Sequence, residues 1–194
     1  MSEKITDAEY DKKTARAKHD FEIFVDMDGV LTDFDGHARA NGKFNEKGQP
    51  KWDELDYKWW VTMPAYPGMK GFYNELKGLG DVAILTAPAA SHECVGAKAE
   101  WVVKQWGKWS LKDLFIAPAA RKCQLARPNR ILIDDREKNV KEWTEAGGIG
   151  ILHTGDYADT LRQVREAIAG YEAKHGKPAP AKKAVRPKDS FPKP

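Results

Sequence analysis

The stretch at 21–35, FEIFVDMDGVLTDFD, constrains this chain more than any other. Residues 21–25 are β-prone and apolar apart from Glu22, so they read as a buried strand. Asp26 and Asp28 follow two residues apart, and Gly29 then allows a tight turn. A strand that runs into Asp-x-Asp-Gly carries acid at its carboxyl end, where open parallel sheets bind their ligands. Two carboxylates so close repel each other and need an opposing charge. A divalent cation supplies it economically, and hard cations such as Mg2+ take carboxylate oxygen. Taken alone, the same residues also describe a solvated acidic turn, so the reading depends on the rest of the chain.

Downstream, strands and helices alternate. Apolar runs at 82–85, 114–117, 131–133 and 149–152 read as strands. Helical spacing predicts helices at 69–79, 93–106, 138–146 and 156–173, with Val95, Ala99, Val102, Val103 and Trp106 on the inner side of the second. A helical turn at 119–126 carries Arg121 and Lys122. The segment 35–66 has no strong strand, and Gly and Pro punctuate it. Its helical candidates lie at 37–40 and 52–61, and it is rich in aromatic residues. The pattern predicts an α/β fold: a Rossmann-like, three-layer α/β/α sandwich around a parallel sheet, with a small helical cap inserted after strand one. Residues 21–34 and 67–175 form the expected core and 35–66 the cap. Residues 1–20 read as a polar arm, and 176–194 as a basic Pro/Lys-rich tail expected to be disordered.

Charge sharpens this division. The net charge is +3, but residues 171–194 carry +5, which leaves the rest at −2. A basic tail keeps nucleic acid open as a partner, whereas the acidic body does not favour it. No apolar run approaches the roughly 20 residues that span a bilayer, so no membrane is expected. The first twenty residues lack the apolar stretch of a secretory signal, and Cys94 and Cys123 make no disulfide framework. A cytoplasmic protein is expected, with the oligomeric state left open.

Three of the strands stop abruptly at polar residues: at Asp26, at Thr86 and at Asp134-Asp135. In a parallel sheet these ends share one edge. Four carboxylates (Asp26, Asp28, Asp134, Asp135) and a hydroxyl then converge, with Lys122 arriving from a loop. Such a group suits a cation with a phosphate beside it. The chain has no Gly-x4-Gly-Lys-Ser/Thr loop, no Gly-x-Gly-x-x-Gly fingerprint and no zinc-spaced His/Cys cluster. Asp134-Asp135 also suits a helix N-cap.

Asp26-Met27-Asp28-Gly29-Val30-Leu31-Thr32-Asp33, Thr86, Lys122 and Asp134-Asp135 resemble the four ordered motifs of the haloacid dehalogenase superfamily of phosphohydrolases. DMDGVLTDF, the PGM at 67–69, LIDDR at 132–136 and AEWVVKQWG at 99–107 are similar to its 5'(3')-deoxyribonucleotidase branch. The resemblance implies Asp26 as nucleophile and Asp28 as general acid and base. It implies Mg2+ held by Asp26, the Asp28 carbonyl and Asp135, with Asp134 a ligand or its support. Thr86, Ala87 and Lys122 would meet the phosphate, Ala87 standing where that branch usually has a hydroxyl. The implied activity is Mg2+-dependent hydrolysis of nucleoside monophosphates through an aspartyl-phosphate. A polynucleotide 3'-phosphatase and a non-catalytic nucleic-acid-binding module are the alternatives.

A phosphate site does not choose among esters, so the cap must. Phe34, Trp52, Trp59 and Trp60 are the candidate base-stacking residues. On a continuous helix Trp52 and Trp59, seven apart, share a face, and Trp60 lies about 100° round from Trp59.

Overall fold

The computed structural model describes residues 19–176. The expectations for the arm and for nearly all of the tail lie outside them. Five strands form one parallel sheet: β1 (Glu22–Val25), β2 (Asp81–Thr86), β3 (Leu114–Ile116), β4 (Arg130–Asp134) and β5 (Ile149–Leu152). Their spatial order is β3-β2-β1-β4-β5, which puts the Asp26 strand in the centre. Val25 pairs with Ile84 on one side and Ile133 on the other, so the ends of β1, β2 and β4 are level.

Alternation along the strands builds two cores. Ile23, Val25, Val82, Ile84, Ile131 and Ile133 face one layer, and Phe24, Ala83, Leu85 and Leu132 face the other. The first layer contains α1 (Phe34–Ala40), α2 (Tyr57–Val61), α3 (Met69–Lys77), α4 (His92–Trp106) and α6 (Tyr157–His175). The second is closed by α5 (Glu137–Glu145), whose Trp143 packs edge-on against Phe24 at 5.5 Å. The three-layer α/β/α sandwich is therefore the observed architecture. No helix among the described residues is long and apolar enough to cross a membrane.

Three local expectations change. The helix expected at 52–61 is broken into a 3-10 turn, Trp52–Glu54, and α2. Asp56 stops it by capping α2, accepting from the Trp59 N–H at 2.8 Å. Seven-residue spacing thus no longer puts Trp52 and Trp59 on one face. On α4 the inward stripe is Cys94, Ala97, Lys98, Trp101 and Val102, while Val95 is 40% exposed. Free cysteine behaves as a small hydrophobe, so it competes with valine for the inner face. A lone histidine just after an apolar strand, as His153 is, is expected to be an ordinary surface or loop residue, yet His153 is buried, with Nδ1 2.8 Å from the Thr160 hydroxyl.

Helix α4 also fastens the segment after β1. Trp101 is buried, and its indole N–H donates to the Met63 carbonyl at 2.8 Å. Trp101→Phe keeps most of the apolar volume but leaves that carbonyl unpaired, a loss of about 1–3 kcal/mol. Urea unfolding should show a lower midpoint with unchanged slope; an unchanged midpoint would mean that the bond adds nothing to stability.

Candidate active site

The Asp26–Asp33 turn is folded by its own backbone. The Leu31 and Thr32 amides donate to the Met27 carbonyl at 2.8 and 2.9 Å, and Gly29 donates back to Thr32 at 2.9 Å. Gly29 has φ +79°, and a Cβ there would stand 2.2 Å from Asp135 Oδ2. Only glycine lets the first turn and the Asp135 carboxyl approach so closely.

Asp26 is 6% exposed. Its Oδ1 accepts from the Met27 amide at 2.8 Å and pairs with Lys122 Nζ at 3.0 Å. Among the described residues nothing donates to Oδ2. Lys122 is buried on the 3-10 helix Ala119–Leu125, while its neighbour Arg121 is exposed. Its ammonium also donates to Asp134 Oδ2 at 2.7 Å. Asp134 is fully buried and further receives Asn139 Nδ2 at 2.9 and 3.0 Å and the Arg136 amide at 2.9 Å. Its lone pairs are thus largely taken by the protein, which makes Asp134 the support of Lys122.

Burial pushes the Asp26 carboxyl up to about 7, with Lys122 opposing and Asp134 and Asp28 adding repulsion. For Lys122, burial would lower the ammonium, but Asp26 and Asp134 more than offset it and hold it above its usual range. Asp135 lies at the outer edge. Desolvation of its carboxyl against the turn, then the Asp134 charge, push it up to about 6.

Ligand atoms of Asp26, Asp134 and Asp135 lie within 4.8 Å of one another. Lys122 pairs with two of these three carboxylates, and Arg136 and Lys98 add positive charge nearby, yet Asp26 and Asp135 are still raised, so a surplus of negative charge remains. That surplus fits a hard divalent cation.

Asp26, Asp28 and Lys122 line a cleft of about 880 Å3 together with Ala87, Asn139 and Arg136. Trp52 and Trp60 also line it, and Trp52 is 45% exposed. Phe34 and Trp59 do not line it; they are buried behind, with Phe34 centred 5.9 Å from Trp52 and 5.8 Å from Trp60. Thr86 is wholly buried and lies outside the lining, beneath Ala87.

Two residues of this group were not foreseen. Asn139 could have been found, since an amide in the first turn after Asp134-Asp135 is placed to hold a carboxylate. Lys98 gave no such signal. It is wholly buried on α4, where its ammonium meets Asp28 Oδ2 at 2.5 Å, Thr86 Oγ1 at 2.9 Å and the Ala87 carbonyl at 2.8 Å.

No protein-family model matches the sequence, and no curated protein is similar to it in sequence. Solved structures are similar in fold. A haloacid dehalogenase-like hydrolase from Burkholderia xenovorans LB400 aligns over 76% of this chain and 91% of its own, with a TM-score of 0.50 and 14% identity. The fold is haloacid dehalogenase-like. A haloacid dehalogenase-like family hydrolase from Streptococcus pneumoniae aligns over 75% of this chain and 90% of its own, with a TM-score of 0.45 and 16% identity. The domain of that class in the Legionella pneumophila effector Lem4 covers 79% of this chain and 98% of its own, at TM-score 0.44 and 11% identity. In this fold, the level ends of β1, β2 and β4 carry the acidic group.

The raised Asp26 carboxyl makes a stability prediction. The folded state keeps a proton there that the unfolded chain has released between about pH 4 and pH 7. Its contribution to stability is therefore largest in acid and is lost as pH rises through that window. Asp26→Asn carries no charge at any pH. In EDTA the variant should melt above wild type near pH 8, with the gap closing toward pH 5. A gap independent of pH would remove Asp26 as the strained carboxylate.

Proposed function

We propose that this protein is a Mg2+-dependent phosphomonoesterase of the haloacid dehalogenase type, acting on nucleoside monophosphates as a 5'(3')-deoxyribonucleotidase. One observation carries the reading. Asp26 offers a carboxylate whose Oδ1 is held by Lys122 and the Met27 amide, while Oδ2 has no donor among the described residues, in the floor of a cleft of about 880 Å3. That volume suits a ligand much larger than phosphate.

In this mechanism Asp26 Oδ2 attacks phosphorus. The phosphorus–oxygen bond to the leaving group breaks, and its electron pair takes the proton carried by Asp28. A water then attacks the phospho-Asp26, giving a proton back to Asp28, and phosphate departs with the Asp26 carboxylate restored. Lys122 holds Asp26 before attack and faces the phosphoryl oxygens as charge shifts onto them. Asp26, Asp135 and the Asp28 carbonyl would hold Mg2+, with Asp134 behind them. When bound, the ion neutralises charge on carboxylates and phosphoryl oxygens.

The segment 35–66 serves as the cap that selects the ester. Of its aromatic residues, Trp52 supports this role best, because it lines the cleft and is exposed, whereas Phe34 braces it from behind.

The test is a panel of nucleoside 5'- and 3'-monophosphates, a 3'-phosphorylated oligonucleotide and phenyl phosphate, assayed with Mg2+ and with excess EDTA. Turnover of mononucleotides that vanishes in EDTA is expected; turnover of the oligonucleotide alone, or full activity in EDTA, would overturn the reading. Stacking a base on an aromatic ring is worth roughly 1–3 kcal/mol, so Trp52→Ala should lower kcat/KM for mononucleotides about ten- to a hundredfold. Phenyl phosphate turnover should stay nearly unchanged, and an equal loss on both substrates would assign Trp52 to packing.

A further inference from the structure

A lysine at a wholly buried helix position needs a reason, because an ammonium out of water is costly unless it is paired and hydrogen-bonded. Lys98 meets both conditions. An ammonium has three N–H donors, and all three are used: Asp28 Oδ2 at 2.5 Å, Thr86 Oγ1 at 2.9 Å and the Ala87 carbonyl at 2.8 Å. The Trp60 ring centre lies 5.2 Å from Nζ and adds a cation–π contact. Two of the three acceptors belong to the end of β2 and one to the turn after β1. The lysine therefore ties the two strand ends together at the carboxyl that faces the cleft.

We propose that Lys98 is a positioning residue for Asp28. It is anchored on Thr86 and Ala87, and it captures Oδ2 of Asp28. That leaves Oδ1 as the atom that gives a proton to the leaving oxygen. Thr32 steadies Oδ1 only loosely, with its hydroxyl at 3.3 Å. Thr86 has a matching part. Wholly buried and accepting from Lys98, it serves the lysine rather than the phosphate. Trp60 links the cleft wall to the same ammonium, so a side chain that borders the substrate also borders the group that sets the acid.

This inference rests on the phosphatase reading, and the experiment separates the two. An ester with a poor leaving group needs its oxygen protonated as the bond to phosphorus breaks, whereas p-nitrophenolate leaves without a proton. General acid transfer contributes about a hundredfold or more to the first step, so in single-turnover measurements of leaving-group release Lys98→Met should slow an alkyl phosphate about a hundredfold and p-nitrophenyl phosphate only about threefold. KM should move little on either substrate. A wild type that hydrolyses neither substrate would end the phosphatase reading and the Lys98 role with it. An active wild type whose Lys98→Met variant loses equally on both would overturn the Lys98 role alone. If that variant does not fold, crystals of the wild type with orthovanadate and Mg2+ decide. Lys98 should still sit on Asp28 and Thr86, and a lysine swung onto vanadate would overturn the proposal.

Discussion

Negative charge crowds the carboxyl edge of the sheet, and the organisation of that edge follows from how the charge is balanced. Asp26 and Asp134 are buried, and Asp28 and Asp135 stand beside them. Taking an ion out of water carries an effective penalty of several kcal/mol, which good geometry must offset. Two buried lysines do part of this. Lys122 bridges Asp26 and Asp134, and Lys98 takes Asp28. The balance is incomplete, since burial still lifts Asp26 and Asp135 far above ordinary carboxylates. A divalent cation would complete it, which is why the strain reads as preparation for a ligand rather than as a defect.

The fold serves this balance by bringing distant residues level. Parallel pairing of β1 with both β2 and β4 aligns Val25, Ile84 and Ile133, so the residues that follow meet at one edge. Behind them the aliphatic faces of the strands and the buried Trp143 exclude water. The cleft wall is tied to the core by polar contacts as well as apolar ones. Trp101 bonds the Met63 carbonyl, and Lys98 sits against Trp60. Cleft shape and the geometry of the acidic group are linked through α4.

Much of this was legible because strand ends are local signals. An apolar run that stops at Asp26, Thr86 or Asp134 announces its own boundary, and the alternation with helices fixed the parallel order. Lys122 was distinguishable from Arg121 only by burial, which the structure supplies. Lys98 was invisible because apolar periodicity scores lysine as an outer residue. The resulting stripe used Val95 and was one residue out of phase with the observed one. The same limit applies to the aromatics. Propensity could not foresee that Asp56 would cap α2 and break the run from Trp52 to Trp59, so which ring lines the cleft depended on a single side chain–backbone bond.

The central claim is that the Asp26 carboxylate itself attacks phosphorus. An acyl phosphate is reduced by borohydride to an alcohol, while a free carboxylate is not. Protein quenched during turnover of a nucleoside monophosphate, treated with borohydride and digested, should therefore carry homoserine at position 26 in peptide mass spectra. Asp28, Asp134 and Asp135 should remain aspartate. Rapid turnover with no reduction at position 26, or homoserine at another aspartate, would contradict the account.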